Sequence, residues 1–292
     1  MAQTKMNIAA GLVAGTLLAA GQVQAEVVED HNINFSNADS ALPDATDVFE
    51  WGVLGHSYIS TTGGNLLRDP GAQFTDNIAV RFEGFNTFNQ NDATPSGYGN
   101  GTEDNFELTA IGTLQGQNTS VSNDEVDFDF TGGSLELYLD SANLNSGASY
   151  TPSDFTDLST FEDGEQVENF NLIGSLFGNG SDGDFDFDQG DGRTDPKFEE
   201  EQLVEDFVTD PSESRDLLYA LTDTNNEEVS NSNIQGAFED RFGQADGDVL
   251  LTSNDGSNKK AVPAPATVAL LGIGLVALGG MGRRRKKAPA DL

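Results

Sequence analysis

The chain has 292 residues, with 49 Asp and Glu against 14 Lys and Arg, and a formal net charge of −35. This length suffices for one or two domains with a hydrophobic core. The acidic balance excludes nucleic-acid binding, because a polyanion would be repelled, and the absence of cysteine excludes disulfides, thiolate metal sites and cysteine nucleophiles.

The N-terminal segment, Met1–Ala25, has the pattern of a secretory signal peptide. It carries Lys5 near its start, continues through the apolar stretch Ile8–Ala20 and ends in Val23-Gln24-Ala25. A short positive region, an apolar helix and a small-residue site are what signal peptidase recognises. The sequence therefore predicts a signal helix, cleavage after Ala25 and export of the remaining chain.

The body, residues 26–244, is predicted to be mainly β. Residues 125–139 alternate apolar and polar side chains around Thr131-Gly132-Gly133, which predicts a hairpin with one apolar face. Apolar density predicts further strands over Ile78–Phe88, Phe106–Leu114 and Glu168–Phe177, and a loop over Asn89–Asp104. Short strands separated by Gly, Asn, Asp and Pro favour an antiparallel sandwich or a jelly-roll-like architecture.

An acidic stretch within the body has the spacing of a calcium-binding loop. Asp184, Asp186, Asp188 and Asp195 fall at positions 1, 3, 5 and 12 of such a loop, where oxygen ligands converge on one ion. Gln189 stands where that loop has its turn glycine. The alternatives are a solvated acidic loop, or a strand whose phenylalanines face the core. Calcium is the one ion expected here, and no cofactor is expected otherwise.

A few short helices are expected after residue 195. Asp195-Pro196 and Asp210-Pro211 each have the form of an N-cap followed by proline at the first helical position, which predicts a helical pair over residues 196–222. Ile234–Phe242 is predicted to add another turn or two of helix. Residues 245–261 are predicted to be a polar linker between the body and the tail.

The C-terminal tail, residues 262–292, has three parts in a fixed order. A proline motif is followed by the uncharged apolar run Ala266–Gly282, predicted to be a membrane helix, and then by a basic cluster. The positive-inside rule would keep this cluster cytoplasmic and place the acidic body outside. The motif is Val262, Pro263, Ala264 and Pro265, and the cluster is Arg283, Arg284, Arg285, Lys286 and Lys287.

This order of elements resembles the PEP-CTERM sorting signal, which also ends the chain with a proline motif, a glycine-rich membrane segment and an arginine cluster. The chain departs from the family at Ala264, where the family usually has Glu. The resemblance implies that the tail passes transiently through the inner membrane and is cut near the proline motif by an exosortase. The protein would then reach the cell surface or the extracellular matrix.

A shorter segment of the body, Asp129–Asp140, resembles part of the flocculation-associated PEP-CTERM proteins. It contains the run Gly133-Ser134-Leu135-Glu136-Leu137-Tyr138. The resemblance implies a role in cell aggregation within an exopolysaccharide matrix.

The sequence contains no motif that indicates a catalytic site. His31 and His56 are the two histidines, and their spacing does not indicate a metal pair. We therefore expect an exported, non-catalytic protein with a structural or adhesive role, whose partners are signal peptidase, exosortase and exopolysaccharide. The alternatives are a secreted hydrolase acting on polysaccharide, for which carboxylates are abundant, and a surface protein that keeps its single membrane span uncut.

Overall fold

The structure, a computed structural model, describes residues 26–28, 30–61, 67–99, 105–142, 150–175, 182–209 and 219–263. Val28–Val262 form one compact unit. Its helices are α1 (Phe35–Ala38), a 3-10 helix (Leu158–Phe161) and α2 (Ser232–Phe242). The strands are β1 (Glu26–Val28), β2 (His31–Ile33), β3 (Ala45–Val48), β4 (Glu50–Thr61), β5 (Gln73–Asn86), β6 (Phe106–Ser122), β7 (Glu125–Ser141), β8 (Glu165–Ser175), β9 (Gly183–Asp186), β10 (Asp191–Thr194), β11 (Pro196–Gln202), β12 (Val208–Thr209), β13 (Tyr219–Glu228) and β14 (Val249–Pro263).

Eight strands form a closed antiparallel barrel in the order β14, β4, β5, β6, β7, β8, β11 and β13, and β13 pairs back onto β14. The prediction of a mainly β body is confirmed. The arrangement differs from the expected sandwich or jelly roll, because one sheet curls until its two edges pair with each other. Closure gives each of these eight strands a partner on both sides.

The hairpin of β9 and β10 closes the barrel wall a second time. Strand β9 pairs with the first part of β7, and β10 pairs with the second part of β13. Strands β8 and β11 occupy the corresponding position along the other part of β7 and β13. Strand β7 therefore pairs with both β8 and β9 along one side, and β13 pairs with both β11 and β10.

A bulge in β7 replaces the hairpin predicted over residues 125–139. Val126, Phe128 and Phe130 are buried, and beyond Thr131-Gly132-Gly133 the buried positions become Leu135, Leu137 and Leu139. The register against β6 shifts by one residue at this point, which returns the apolar side chains to the interior. The turn of the hairpin lies instead at Asn123-Asp124, where Asn123 has φ 58°.

A small sheet of β12, β2 and β3 packs with α1 against one end of the barrel. The ring of Phe35 in α1 contacts the rings of Phe85, Tyr98 and Phe106, with centroid distances of 5.2–5.9 Å. Aromatic pairs at these distances stabilise the contact beyond the area that they bury. We call this the plugged end of the barrel.

Helix α2 covers part of the outer wall. Its Ile234 and Phe238 are buried against Tyr58, Ile111 and Leu251, which point outward from their strands. The helix predicted over Ile234–Phe242 is confirmed and begins two residues earlier, since Asn231 caps it by accepting from the backbone N–H groups of Asn233 and Ile234.

Two predictions for the second half of the chain are wrong. Pro196–Gln202 is strand β11 and Tyr219–Glu228 is strand β13, so no helical pair fills residues 196–222, of which residues 210–218 lie outside the described part. The expected polar linker over residues 245–261 contains β14, which pairs with β4 and β13. Strand β14 has polar side chains at both its inward and its outward positions. Its composition is therefore that of a polar linker.

Candidate functional site

The outer surface of the wall formed by β7, β9, β10 and β13 carries a row of carboxylates. Four residues on adjacent strands lie directly opposite one another: Glu125 pairs with Asp186, Asp186 with Asp191, and Asp191 with Glu227. Directly opposed residues have their Cβ atoms about 4.5–5.5 Å apart and their side chains on the same face. We call these four side chains the carboxylate row.

A second line of charges runs beside the carboxylate row. Asp127 on β7 lies opposite Asp184 on β9, and Asp184 lies opposite Arg193 on β10. Burial and the nearby charge of Asp127 raise the pKa of Asp184. Arg193 is bonded to Asp195, with its Nη2 atom 2.9 Å from Oδ1. The face therefore holds more negative charge than its cation neutralises, and like charges directly opposite destabilise a sheet.

The structure places the four predicted calcium ligands on the hairpin of β9 and β10. Asp184 and Asp186 lie on β9, and Asp188 lies in the turn, where its backbone N–H donates to Asp186 Oδ1 at 2.8 Å. Asp195 follows β10, is 7% exposed and is paired with Arg193. Within the described ranges, no group of three or more His, Asp or Glu side chains is placed to hold a metal ion. Calcium binding at these residues stays a prediction.

The barrel interior contains a cavity of about 50 Å³ with one apolar and one polar wall. A volume of this size holds a few water molecules. The apolar wall includes Val53, Ile78, Val80, Phe82, Ala110, Leu114, Phe130, Leu135, Phe170 and Phe198. The polar wall includes Ser57, Asp76, Thr194, Thr224, Asn254 and Asn258.

Asp76 lies between this cavity and a second one of about 30 Å³. It is 3% exposed, and Ser57 hydrogen-bonds to its carboxylate. Asn254 donates to the Ser57 hydroxyl at 2.8 Å, and Thr252 donates to Asn254 at 3.0 Å. Among the described residues, the Oδ1 atom of Asp76 has no hydrogen-bond partner. Burial raises the pKa of Asp76 to about 7, because a charged carboxylate without a cation is costly in an apolar surrounding.

A buried charge cluster lies toward the plugged end. Lys260 on β14 has its Nζ atom 2.5 Å from Oε1 of Glu200 on β11 and 3.2 Å from Oε2 of Glu168 on β8. All three side chains are completely buried. The same Nζ atom lies 4.3 Å from the ring centroid of Trp51 and 4.7 Å from that of Phe170. We call Lys260, Glu168 and Glu200 the buried charge cluster.

The two histidines have structural surroundings. His31 is fully buried, and its Nε2 atom accepts from the indole N–H of Trp51 at 2.6 Å. His56 lies on the outer wall with its Nδ1 atom 3.0 Å from the carbonyl oxygen of Thr252 and its ring against Phe155. Burial lowers the pKa of His56. His31 therefore lies on β2 against the inward-facing Trp51 of β4, whereas His56 lies on the outward face of β4.

Sequence reasoning missed Asp76 and the buried charge cluster. In both β5 and β14, one charged residue interrupts a period-two row of inward positions, and this parity is the signal that could have revealed them. Asp76 follows Phe74 and precedes Ile78 at inward positions of β5, and Lys260 follows Asn258 in β14. Sequence alone, however, does not decide which of two alternating sets faces inward.

The predicted processing sites fall mostly outside the described residues. These include Ala25, Ala264, Pro265, the membrane segment 266–282 and the basic cluster 283–287. Val262 and Pro263 lie at the end of β14. In the part of the chain that the structure describes, no helix has both the length and the apolar character needed to cross a membrane.

Comparison with known proteins adds no relative. No family model, curated protein or solved structure matches the chain.

Proposed function

We propose that this chain is an exported, non-catalytic protein of the cell surface or extracellular matrix, in which the barrel presents an acidic face to other anionic polymers. The observation that carries the proposal is the carboxylate row, in which Glu125, Asp186, Asp191 and Glu227 lie side by side on adjacent strands. Four like charges in one row cost stability. A bridging cation would relieve this repulsion.

Divalent cations supply the proposed link. Calcium takes six to eight oxygen ligands in flexible geometry, so an ion held by one or two carboxylates of the row keeps positions open for oxygens of an exopolysaccharide. Each such contact is weak. Several contacts along one row and among many protein copies act together, and their combined avidity exceeds that of any single contact.

Export and sorting rest on the two ends of the chain. The signal peptide would be removed by signal peptidase after Ala25, and the tail would be cut by an exosortase near Val262–Pro265, after transient insertion in the inner membrane. The similarity of Asp129–Asp140 to flocculation-associated proteins supports cell aggregation as the context. This segment forms part of β7, the strand that also carries Glu125 of the carboxylate row.

The test is to recover the protein from its own host in two fractions, the membrane and the extracellular matrix, and to measure intact mass and release by a calcium chelator. We expect the matrix protein to lack Met1–Ala25 and the tail, and we expect the chelator to release it. A variant that neutralises the row, Glu125→Gln/Asp186→Asn/Asp191→Asn/Glu227→Gln, should appear in the culture medium without chelator.

A matched control variant removes the same number of negative charges at other positions on the surface. Asp30, Glu199, Glu205 and Asp240 are exposed, and their neutralisation should leave chelator-dependent retention unchanged. Matrix retention that ignores calcium, chelator and the row variant would overturn the cation-bridge proposal. A membrane-bound protein that keeps Ala266–Leu292 would overturn the sorting proposal alone.

A further inference from the structure

The buried charge cluster has the arrangement of a reactive site. One amine and two carboxyl groups meet inside the barrel. Lys260 Nζ lies 2.5 Å from Glu200 Oε1 and 3.2 Å from Glu168 Oε2. Among the described residues, neither Glu168 Oε1 nor Glu200 Oε2 has a hydrogen-bond partner. The carboxyl groups are therefore incompletely paired, although the site is sealed from water.

We propose that Lys260 and Glu200 condense to form an intramolecular isopeptide bond that joins β14 to β11, with Glu168 carrying the protons of the reaction. The three residues come from three different strands, so the barrel must close before they meet. The bond would therefore form only in the folded protein.

The reaction balances without any added reagent. It starts from the Lys260 ammonium, the Glu168 carboxylate and the protonated Glu200 carboxyl. Glu168 takes one proton from the ammonium, and the free amine attacks the Glu200 Cδ atom. Glu168 then gives its proton to the departing hydroxyl and takes the remaining extra proton from the nitrogen. One C–N bond forms, one C–O bond breaks, one water leaves, and Glu168 ends as a neutral acid.

The surroundings favour the proton transfers that this reaction needs. Burial raises the pKa of Glu200 to about 8, which favours its protonated carboxyl group. Burial also raises the pKa of Glu168, which makes its carboxylate a stronger base toward the ammonium, because charged carboxyl groups are destabilised where water is excluded. Replacing an ammonium and a carboxylate by an amide removes two buried charges, whose desolvation is costly. Holding amine and carboxyl in contact also raises their effective concentration by many orders of magnitude.

The rings around Lys260 confine the nucleophile. Its Nζ atom lies 4.3 Å from the ring centroid of Trp51 and 4.7 Å from that of Phe170. These rings limit the positions that the amine reaches, and they shield the product from hydrolysis by excluding water. The cluster thus combines orientation, a proton carrier and a dry pocket.

The proposed bond would reinforce the barrel across a strand. Strand β13 lies between β11 and β14, so the amide would span the interior beneath it. The two linked residues are sixty positions apart in sequence, and a cross-link that closes such a loop restricts the unfolded chain. The chain has no cysteine, so disulfides cannot supply this restriction.

The test is the intact mass of the full chain after denaturation, followed by tryptic mapping. We expect a mass lower than that of the sequence by one water. Mapping should yield a branched peptide in which Lys260 is joined to the fragment containing Glu200, and trypsin should not cut after Lys260. Glu168→Gln should slow the mass change in a time course, and Glu200→Gln should lose ammonia instead of water if it reacts.

Two lysine variants separate this reaction from other dehydrations, since a succinimide at an Asp-Gly step also loses one water. Lys260→Arg keeps a cation and should abolish the mass change. The neighbouring Lys259 pairs with Glu50 on the outer wall, with its Nζ atom 3.4 Å from Oε1. Lys259→Arg should therefore leave the mass change intact. The proposal fails if the folded wild-type chain has its full sequence mass, or if the loss persists in Lys260→Arg. Mapping of the wild type decides the matter even if Lys260→Arg does not fold.

Discussion

The barrel gathers carboxyl groups in two places with opposite surroundings. The carboxylate row lies on the outer wall, where Glu125, Asp191 and Glu227 are exposed. The buried charge cluster places Glu168 and Glu200 in the interior, where both side chains are fully buried with Lys260. Water screens the charges of the carboxylate row, whereas the single ammonium of Lys260 offsets the charge of the two buried carboxyl groups.

The difference shows that burial, and not the number of charges, sets the energy scale at each place. Repulsion between exposed carboxylates amounts to fractions of a kcal/mol and falls with salt. A buried carboxylate that loses its partner costs several kcal/mol, because the protein interior cannot solvate it. The exposed set is therefore suited to reversible ion binding and the buried set to a permanent structural contact.

Removing the cation from each place should give the largest contrast. Lys260→Met leaves two buried carboxyl groups without their ammonium and prevents the proposed amide, and we expect it to lower the free energy of unfolding by at least about 3–5 kcal/mol. Arg193→Met removes the cation beside the carboxylate row and should cost less, about 1–2 kcal/mol, since the Arg193 side chain is 42% exposed although the Asp195 carboxyl group is buried. Denaturant unfolding of both variants measures the contrast.

A rescue variant checks the cause of that loss. Lys260→Met/Glu168→Met/Glu200→Met replaces the whole cluster by apolar side chains and should recover the stability lost to the buried carboxyl groups, but not the part that the proposed cross-link contributes. Equal losses for Lys260→Met and Arg193→Met would show that burial does not separate the two places.

Asp76 should give the next largest effect, and this effect should depend on pH. Burial raises its pKa from 3.8 to about 7. Between these values the native state holds a proton that the unfolded state has released, so the stability of the wild type falls as the pH rises from about 4 to 7. Asp76→Asn removes this dependence and should be more stable than the wild type at pH 8, by at most about 4 kcal/mol, and nearly equal to it at pH 3.5.

Thermal or denaturant unfolding across this pH range gives the result. Asp186→Asn, at an outward position of the adjacent wall, serves as the control: it keeps Asp76 and should therefore keep the slope of the wild type between pH 4 and 7. A stability difference for Asp76→Asn that stays constant with pH would contradict the burial argument.

The smallest effect should come from the centre of the carboxylate row. Asp186 has a carboxylate opposite it on each side, so Asp186→Asn should raise stability at low salt by a few tenths of a kcal/mol. The amide oxygen can still accept the turn hydrogen bond from Asp188. The gain should vanish in 1 M NaCl, where the screening length is about 3 Å. A gain that persists in high salt would mean that repulsion is not its source.

The sequence allows the type of most strands to be predicted, because alternation in β7 and apolar density in β5, β6 and β8 follow from burial of one face. It does not reveal the bulge in β7. There, Thr131-Gly132-Gly133 interrupts the alternation in the same way that a turn would, and only the pairing with β6 distinguishes the two. Barrel closure is equally hidden, since it depends on which strands pair at the two edges.

The candidate site was predictable to a lesser extent. The acidic residues Asp184 and Asp186 attracted attention for their spacing, yet their partners Glu125 and Glu227 come from strands distant in sequence. Asp195-Pro196 has the form of a helix start, but proline also suits the first residue of a strand, which needs no backbone donor there. The polar neighbours of Lys260 predict a linker, and only the register of β14 makes Lys260 an inward residue.

Strand β14 ends at Pro263, inside the proline motif. A pulling force applied to this end in the direction of the strand would act along β14. Backbone hydrogen bonds to β13 and β4 hold this strand on both sides, and a pull along its axis loads them together in shear, whereas a pull across it would open them one at a time. A pull along β14 would therefore meet more resistance than a pull across it.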